Sequence, residues 1–153
     1  MIAVLQRVSH AAVCVAGRTV GEIEGGLLIL LGVGRNDTRE DADRLAAKIA
    51  ACRIFCDKAD KMNLSLLDVG GGALVVSNFT LLADYSHGNR PSYFDAAPPE
   101  AAEGLYRYFC DVLGARVAKL ATGEFGADMK IVMEADGPVT ITMDSTILKQ
   151  GRR

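Results

Sequence analysis

The chain is 153 residues long, with 50% hydrophobic and 24% charged residues, which suits one domain with a sizeable buried core. Its net charge of −2 excludes the broad basic field of non-specific nucleic-acid binding but leaves room for a local grip on one RNA end. Apolar runs are short and broken by glycine, and no basic leader precedes a long apolar segment, so a soluble, cytoplasmic protein is expected.

Residues 3–8 and 11–15 are rich in strand formers, and Ala16-Gly17-Arg18 reads as a turn into a return strand over 19–23, together a long hairpin. Leu27-Leu28-Ile29-Leu30-Leu31 is apolar on both faces, as a central strand covered on each side must be. Gly32-Val33-Gly34 leads into a helix over 39–52, with Asp37 or Thr38 as N-cap and Leu45, Ala46, Ile49 and Ala50 along one stripe. Strand, glycine turn and helix outline a dinucleotide site, but the third glycine is missing and no Gly-Lys-Ser/Thr follows. A tight turn is the better account.

Residues 53–55 read as a short strand, 57–61 as a polar loop and 68–72 as a turn. The run Ala73-Leu74-Val75-Val76-Ser77-Asn78-Phe79-Thr80-Leu81-Leu82 starts as a β-branched strand and then places Ser77, Asn78 and Thr80 among apolar neighbours. Each such polar group costs roughly 1 to 3 kcal/mol if buried without a partner. Strict alternation separates Asn78 and Thr80 from Ser77, whereas a kink near Ser77 gathers all three into one cluster.

Residues 83–95 show no periodicity and hold Tyr85, His87, Arg90 and Tyr93, a loop suited to ligand contacts. Pro98-Pro99 opens a helix over 100–113, with Leu105, Tyr106, Phe109 and Val112 at helical spacing. Strands are expected over 115–121, 129–134 and 139–143, with 122–128 a loop and Ala135-Asp136-Gly137-Pro138 a hairpin connection. This order indicates an α+β domain with mostly antiparallel sheet. Residues 1–145 form the expected single domain and 146–153 a short tail ending in the basic cluster Lys149-Gln150-Gly151-Arg152-Arg153.

Cys14, Cys52, Cys56 and Cys110 read as reduced thiols, and Cys52 with Cys56 supplies only half of a zinc site. The histidines, His10 and His87, lie in no nucleophile or metal motif, and Ser77 lacks the flanking glycines of a hydrolase elbow. What remains is a set of hydroxyls, an amide and backbone N–H groups, with Thr80 the one candidate side-chain nucleophile and no base beside it. Such a set suits oxyanion stabilisation and positioning of a substrate that assists itself.

Ser77-Asn78-Phe79-Thr80-Leu81, Gly88-Asn89-Arg90-Pro91-Ser92, Asp95-Ala96-Ala97-Pro98-Pro99, Phe125-Gly126-Ala127-Asp128-Met129 and Asp136-Gly137-Pro138-Val139-Thr140 resemble, in order and spacing, the D-aminoacyl-tRNA deacylase family. The resemblance runs from Arg7 to Ser145. It implies a homodimer with a strongly curved, barrel-like sheet and two main helices. It further implies hydrolysis of the ester joining a D-amino acid, or glycine, to the 3′-terminal adenosine of tRNA, without metal or cofactor and with help from the substrate's 2′-hydroxyl. The ester-lining segment carries over to Ser77, Asn78, Phe79 and Thr80. Gly137 and Pro138, joined by a cis bond, are implied to enter the partner subunit's pocket and reject an L side chain; Phe125 and Met129 match residues that hold the adenosine. The family usually has Gln where this chain has Asn78, and Lys or Arg is common at His87. Two rival readings remain: a non-catalytic module that binds RNA or DNA ends through the same pocket, and a small-molecule esterase.

Overall fold

In a computed structural model describing residues 1–148, strand β1 (Ile2–Val15) runs unbroken through the stretch expected to hold two strands. A turn with Ala16 and Gly17 at positive φ returns the chain into β2 (Arg18–Ile23). Residues 2–8 of β1 also pair with β3 (Gly26–Gly32), and residues 2–14 pair with the long strand β8 (Lys130–Asp144), all antiparallel. β1 is therefore the shared strand of the sheet.

From β3 onward the pairing changes sense. β3 runs parallel to β6 (Gly72–Ser77), which runs parallel to β7 (Lys119–Thr122), so the sheet is mixed even though antiparallel pairings are the more numerous. Parallel neighbours need crossover connections. The first carries α1 (Arg39–Ala51), the small hairpin of β4 (Phe55–Cys56) and β5 (Met62–Leu64), and the single turn α2 (Leu66–Val69). The second carries a 3₁₀ turn (Phe79–Leu82), the 83–95 loop and α3 (Pro99–Gly114).

Both faces of the central strands are buried, for different reasons. Leu27, Ile29 and Leu31 of β3, with Ala73 and Val75 of β6, pack on the face covered by α1 and α3 against Leu45, Ile49, Phe109 and Leu113. Leu28, Leu74 and Val76 point the other way, into a smaller core with Val8, Ala11, Val13 and Ile23. That second core fills a nearly closed barrel, which curls shut where β7 packs against β2.

Thr38, not Asp37, caps α1 through a reciprocal pair with Asp41. The same device, Ser65 with Asp68, builds α2 inside a segment that had shown no helical period. The backbone and side chain of Ser65 hold the Asp68 carboxyl below its usual range. Asp37 instead accepts from the Met1 ammonium at 2.5 Å and the Gly34 N–H at 2.6 Å, and the Ser145 hydroxyl, at the start of α4 (Ser145–Leu148), accepts from the same ammonium at 2.9 Å.

Three boundaries differ from the sequence reading. β7 starts at Lys119 because the helical path persists past Gly114, with the N–H groups of Arg116 and Val117 donating to Leu113. The short strand read at 53–55 lies instead at Phe55–Cys56. The third difference matters most. The chain does not reverse at 135–138: Met133 pairs with Ala11 and Thr140 with Gln6 on the same partner, β1, in the same sense. Asp136, Gly137, Pro138 and Val139 are a bulge thrown out of β8 where the register shifts opposite Arg7. A Gly-Pro pair breaks a ladder because Pro has no N–H to donate, and a bulge satisfies that constraint without a turn. The basic cluster 149–153 lies outside the described residues.

Barrel closure depends on Gly21, where a Cβ would stand 3.1 Å from both the Thr122 carbonyl carbon and Leu74 Cδ1. Gly21→Ala is expected to push β2 off β7 and destabilise the fold by about 1 to 3 kcal/mol, measured by urea unfolding; an unchanged midpoint would show that closure is not tight.

Candidate active site

A cavity of about 580 Å³ opens where the parallel strands end, lined by the turn after β3, by Ser77 at the end of β6 with Asn78 and Phe79 beyond it, and by Phe125 and Met129 after β7. The C-terminal ends of parallel strands are the usual place for such a cleft. Here the strand ends separate, since the last rung, the Asn78 N–H to the Leu31 carbonyl at 2.8 Å, lies one residue beyond β6.

Immediately past that rung the chain kinks into its 3₁₀ turn, which resolves the two arrangements open to Ser77, Asn78 and Thr80. The Thr80 hydroxyl donates to Asn78 Oδ1, so the amide is engaged by a side chain and not by the backbone. Thr80 itself is exposed and does not line the cavity, whereas Ser77, Asn78 and Phe79 do. Ser77 is half-buried, and its hydroxyl forms no hydrogen bond with a described residue. The N–H groups of Phe79 and Thr80 head the turn ahead of its first bond, Leu81 N–H to the Asn78 carbonyl. They too have no partner among the described residues.

The cavity walls are mostly apolar and aromatic. Phe79 meets Tyr93 edge to face, with centroids 5.1 Å apart and planes at 77°. Phe125 leans on Tyr106 at 5.7 Å, and the Tyr106 hydroxyl donates to the Val75 carbonyl at 2.9 Å. Burial pushes that phenol well above its ordinary range, so it is a fixed neutral donor. Met129 fits because residue 123 is glycine: a Cβ there would lie 2.6 Å from its sulfur. Among the described residues no histidine, carboxylate or cysteine lines the space, and the ionisable side chains that do are Arg35, Tyr93 and Tyr106. His87 bonds Ser86 outside it, and His10 pairs with Glu22 at 2.7 Å, with Glu24 close by, in the one group of metal-capable donors among the described residues. Cys110, whose thiol burial pushes up to about 12, lines a second cavity of about 590 Å³ that shares only Tyr106 and Phe125 with the first.

Gly137 and Pro138 are absent from this cavity's walls. Their peptide bond is cis, both residues are exposed, and the bulge is propped from beneath. Arg7, only 9% exposed, donates to the Asp136 carbonyl at 3.2 Å and the Ile54 carbonyl at 2.8 Å. Gln6 donates to the Val139 carbonyl at 3.3 Å.

Sequence reasoning found the Ser77–Phe79 wall, Phe125 and Met129, and it singled out Tyr93 in the 83–95 loop. It missed Tyr106, read only as one of a helical stripe, and Arg35, passed over inside a tight turn. Recognising two parallel crossovers would have pointed to the strand ends and so to Arg35.

A model of the D-Tyr-tRNA(Tyr) deacylase family matches residues 4–144. The chain is 54% identical over 140 residues to a D-aminoacyl-tRNA deacylase of Janthinobacterium sp. (strain Marseille), covering 92% of this chain and 94% of that protein. It is 56% identical over 153 residues to a D-aminoacyl-tRNA deacylase of Chloroflexus aurantiacus, covering 100% and 96%. Among solved structures, a c-Myc DNA unwinding element binding protein superposes with a TM-score of 0.89 at 37% identity, over 94% of this chain and 98% of that one. A probable eukaryotic D-amino acid tRNA deacylase shares the fold, with a TM-score of 0.83 at 14% identity over 93% and 97%.

Tyr106→Phe removes one hydrogen bond without orphaning its acceptor, since the Gly123 N–H still donates to the Val75 carbonyl at 3.0 Å. The expected loss is about 1 kcal/mol, read from thermal unfolding. A loss several times larger would mean that the hydroxyl organises the whole cavity wall.

Proposed function

The chain belongs to the D-Tyr-tRNA(Tyr) deacylase family and is a D-aminoacyl-tRNA deacylase, a carboxylic-ester hydrolase, and from that premise we propose how it selects and cleaves its substrate. The observation that carries the reading is a cavity rich in apolar walls and free donors whose described lining residues include no carboxylate, histidine or cysteine.

The ester carbonyl sits against Ser77, Asn78 and Phe79, and the unengaged N–H groups of Phe79 and Thr80 receive the oxyanion as it develops. The 2′-hydroxyl of the terminal adenosine assists the attack, replacing the general base that the walls lack. Phe125 and Met129 clamp the adenine. Thr80, its proton committed to Asn78, positions the amide and does not attack.

Chirality is read by exclusion. The partner subunit's Gly137 and Pro138 enter the cavity and occupy the side where an L side chain would project. Glycine has no side chain to reject, so glycyl-tRNA is hydrolysed as well. A second copy is supported by β8: among the described residues it pairs with β1 alone, and it exposes Ile131, Val132 and Met133 near its start. An unpaired apolar edge strand is a liability that a two-fold partner removes. The working setting is the cytoplasm, as quality control after aminoacylation; no described helix is long and apolar enough to cross a membrane.

The rival reading, a module that binds nucleic-acid ends without turnover, draws support from the name of the DNA unwinding element binding protein that shares this fold. Release of labelled D-tyrosine from tRNA separates the two. The D ester is expected to be cleaved and the L ester spared, and binding without release would overturn the deacylase reading. In the same assay Thr80→Ala is expected to slow release less than about tenfold, within the range of one lost hydrogen bond; complete loss would make Thr80 the nucleophile. Light scattering should give twice the 16.3 kDa chain mass, and a monomer retaining D selectivity would remove the partner from the mechanism.

A further inference from the structure

Outside the ester-lining residues, one pair at the cavity mouth has a geometry that packing does not explain. The Arg35 guanidinium lies over the Phe94 ring, 4.4 Å from its centroid, while Phe94 remains 71% exposed. Two loops are tied together to hold it there. The Arg35 N–H donates to the Asp95 carbonyl at 3.0 Å, the Arg35 Nε to the Phe94 carbonyl, and Gly34 bridges Ala96.

Arg35 has no carboxylate within ion-pair distance among the described residues. Its terminal nitrogens are left without a hydrogen-bond partner there. It also lines the cavity, while Phe94 stands just outside. A rigid, exposed ring beside an unneutralised cation is the pairing that single-stranded nucleic acid uses, with the base stacked on the ring and the phosphate on the cation. A lone exposed phenylalanine is ordinary. One backed by a guanidinium, at the rim of a cleft sized for a nucleoside, is a platform.

We propose that Arg35 and Phe94 bind the nucleotide that precedes the terminal adenosine: Phe94 stacks under its base, and Arg35 meets the phosphodiester between the two. This rests on the deacylase reading of the adjoining cavity and adds to it a second nucleotide subsite. Stacking is tolerant of base identity, so the platform recognises an unpaired RNA end and not a particular tRNA.

The test compares D-tyrosyl-tRNA with the D-tyrosyl ester of adenosine, which lacks the preceding nucleotide. Phe94→Ala is expected to raise the ratio of KM for the tRNA to KM for the adenosine ester about tenfold, the range of one lost base stack, and Phe94→Trp is expected to keep the wild-type ratio. Arg35→Gln is expected to flatten the dependence of log(kcat/KM) for the tRNA on log salt by about 0.7, the share of one single-strand phosphate. An unchanged ratio in Phe94→Ala would overturn the proposal. Should that variant fail to fold, a wild-type salt slope in Arg35→Gln would overturn it. Wild-type protein that cleaves neither substrate would sink the deacylase reading itself, whereas cleavage of both with unaltered ratios would sink the platform alone.

Discussion

The parallel register of β3 and β6 runs from Gly26 opposite Gly72 to Leu31 opposite Ser77, and most of the molecule follows from it. It starts at a contact that only glycine permits: Gly26 has φ 157°, and a Cβ there would lie 2.7 Å from the Gly72 nitrogen and 2.8 Å from its carbonyl carbon. Parallel strands cannot be joined by a tight turn, so the chain must cross over, and each crossover delivers one of the two long helices to the same face. The helices bury one side of the run Leu27 to Leu31, and the curled sheet buries the other. Parallel order also puts the ends of β3, β6 and β7 side by side. The cavity is the space those ends leave.

That origin accounts for the chemistry. A strand end supplies backbone N–H groups released from the ladder, and small polar side chains tolerate the kink; it does not by itself supply a base. The nearest buried ionisable groups are a phenol and a thiol that burial holds in their neutral forms. On the proposed mechanism catalysis at such a site rests on arrangement, and arrangement has to be fixed by packing. Gly123 admits Met129, Tyr106 braces Phe125 and is itself tied to Val75, and the Asn78 N–H is fixed to Leu31.

Much of this was legible because local physics and tertiary context agreed. A run apolar on both faces had to be covered twice, Asp37 or Thr38 marked a helix start, and three polar residues at the end of an apolar run signalled a polar site there, with alternation and a kink both left open. The errors fall where local signals are ambiguous. Gly137-Pro138 is turn-like in isolation, and only its register against Arg7 separates a bulge from a hairpin. Residues 115–118 have strand-like composition yet form the turn that leaves the helix, because Leu113 still offers its carbonyl to the N–H groups of Arg116 and Val117. Arg35 was passed over because its place follows from the parallel strand ends and from Phe94, which lies 59 residues away.

The bulge and the cavity lie on opposite flanks of one strand pair, and this separation constrains the mechanism. β1 lies between β3, which leads to the cavity, and β8, which carries the bulge. Arg7, on β1, points its guanidinium toward Asp136, and Gln6 beside it donates to Val139. The cost of burying an arginine is met by carbonyl acceptors on both sides, Ile54 and Asp136, with the Asp136 carboxylate 3.4 Å away. A buried cation so fully committed to an exposed loop makes that loop a rigid projection and not a loose excursion. Gly137 and Pro138 do not line their own chain's cavity, which is why the proposed reading gives them to a second subunit. On the proposed reading, a two-fold axis along the free edge of β8 would let each copy give and receive the same element, and selectivity would then depend on the pairing of subunits.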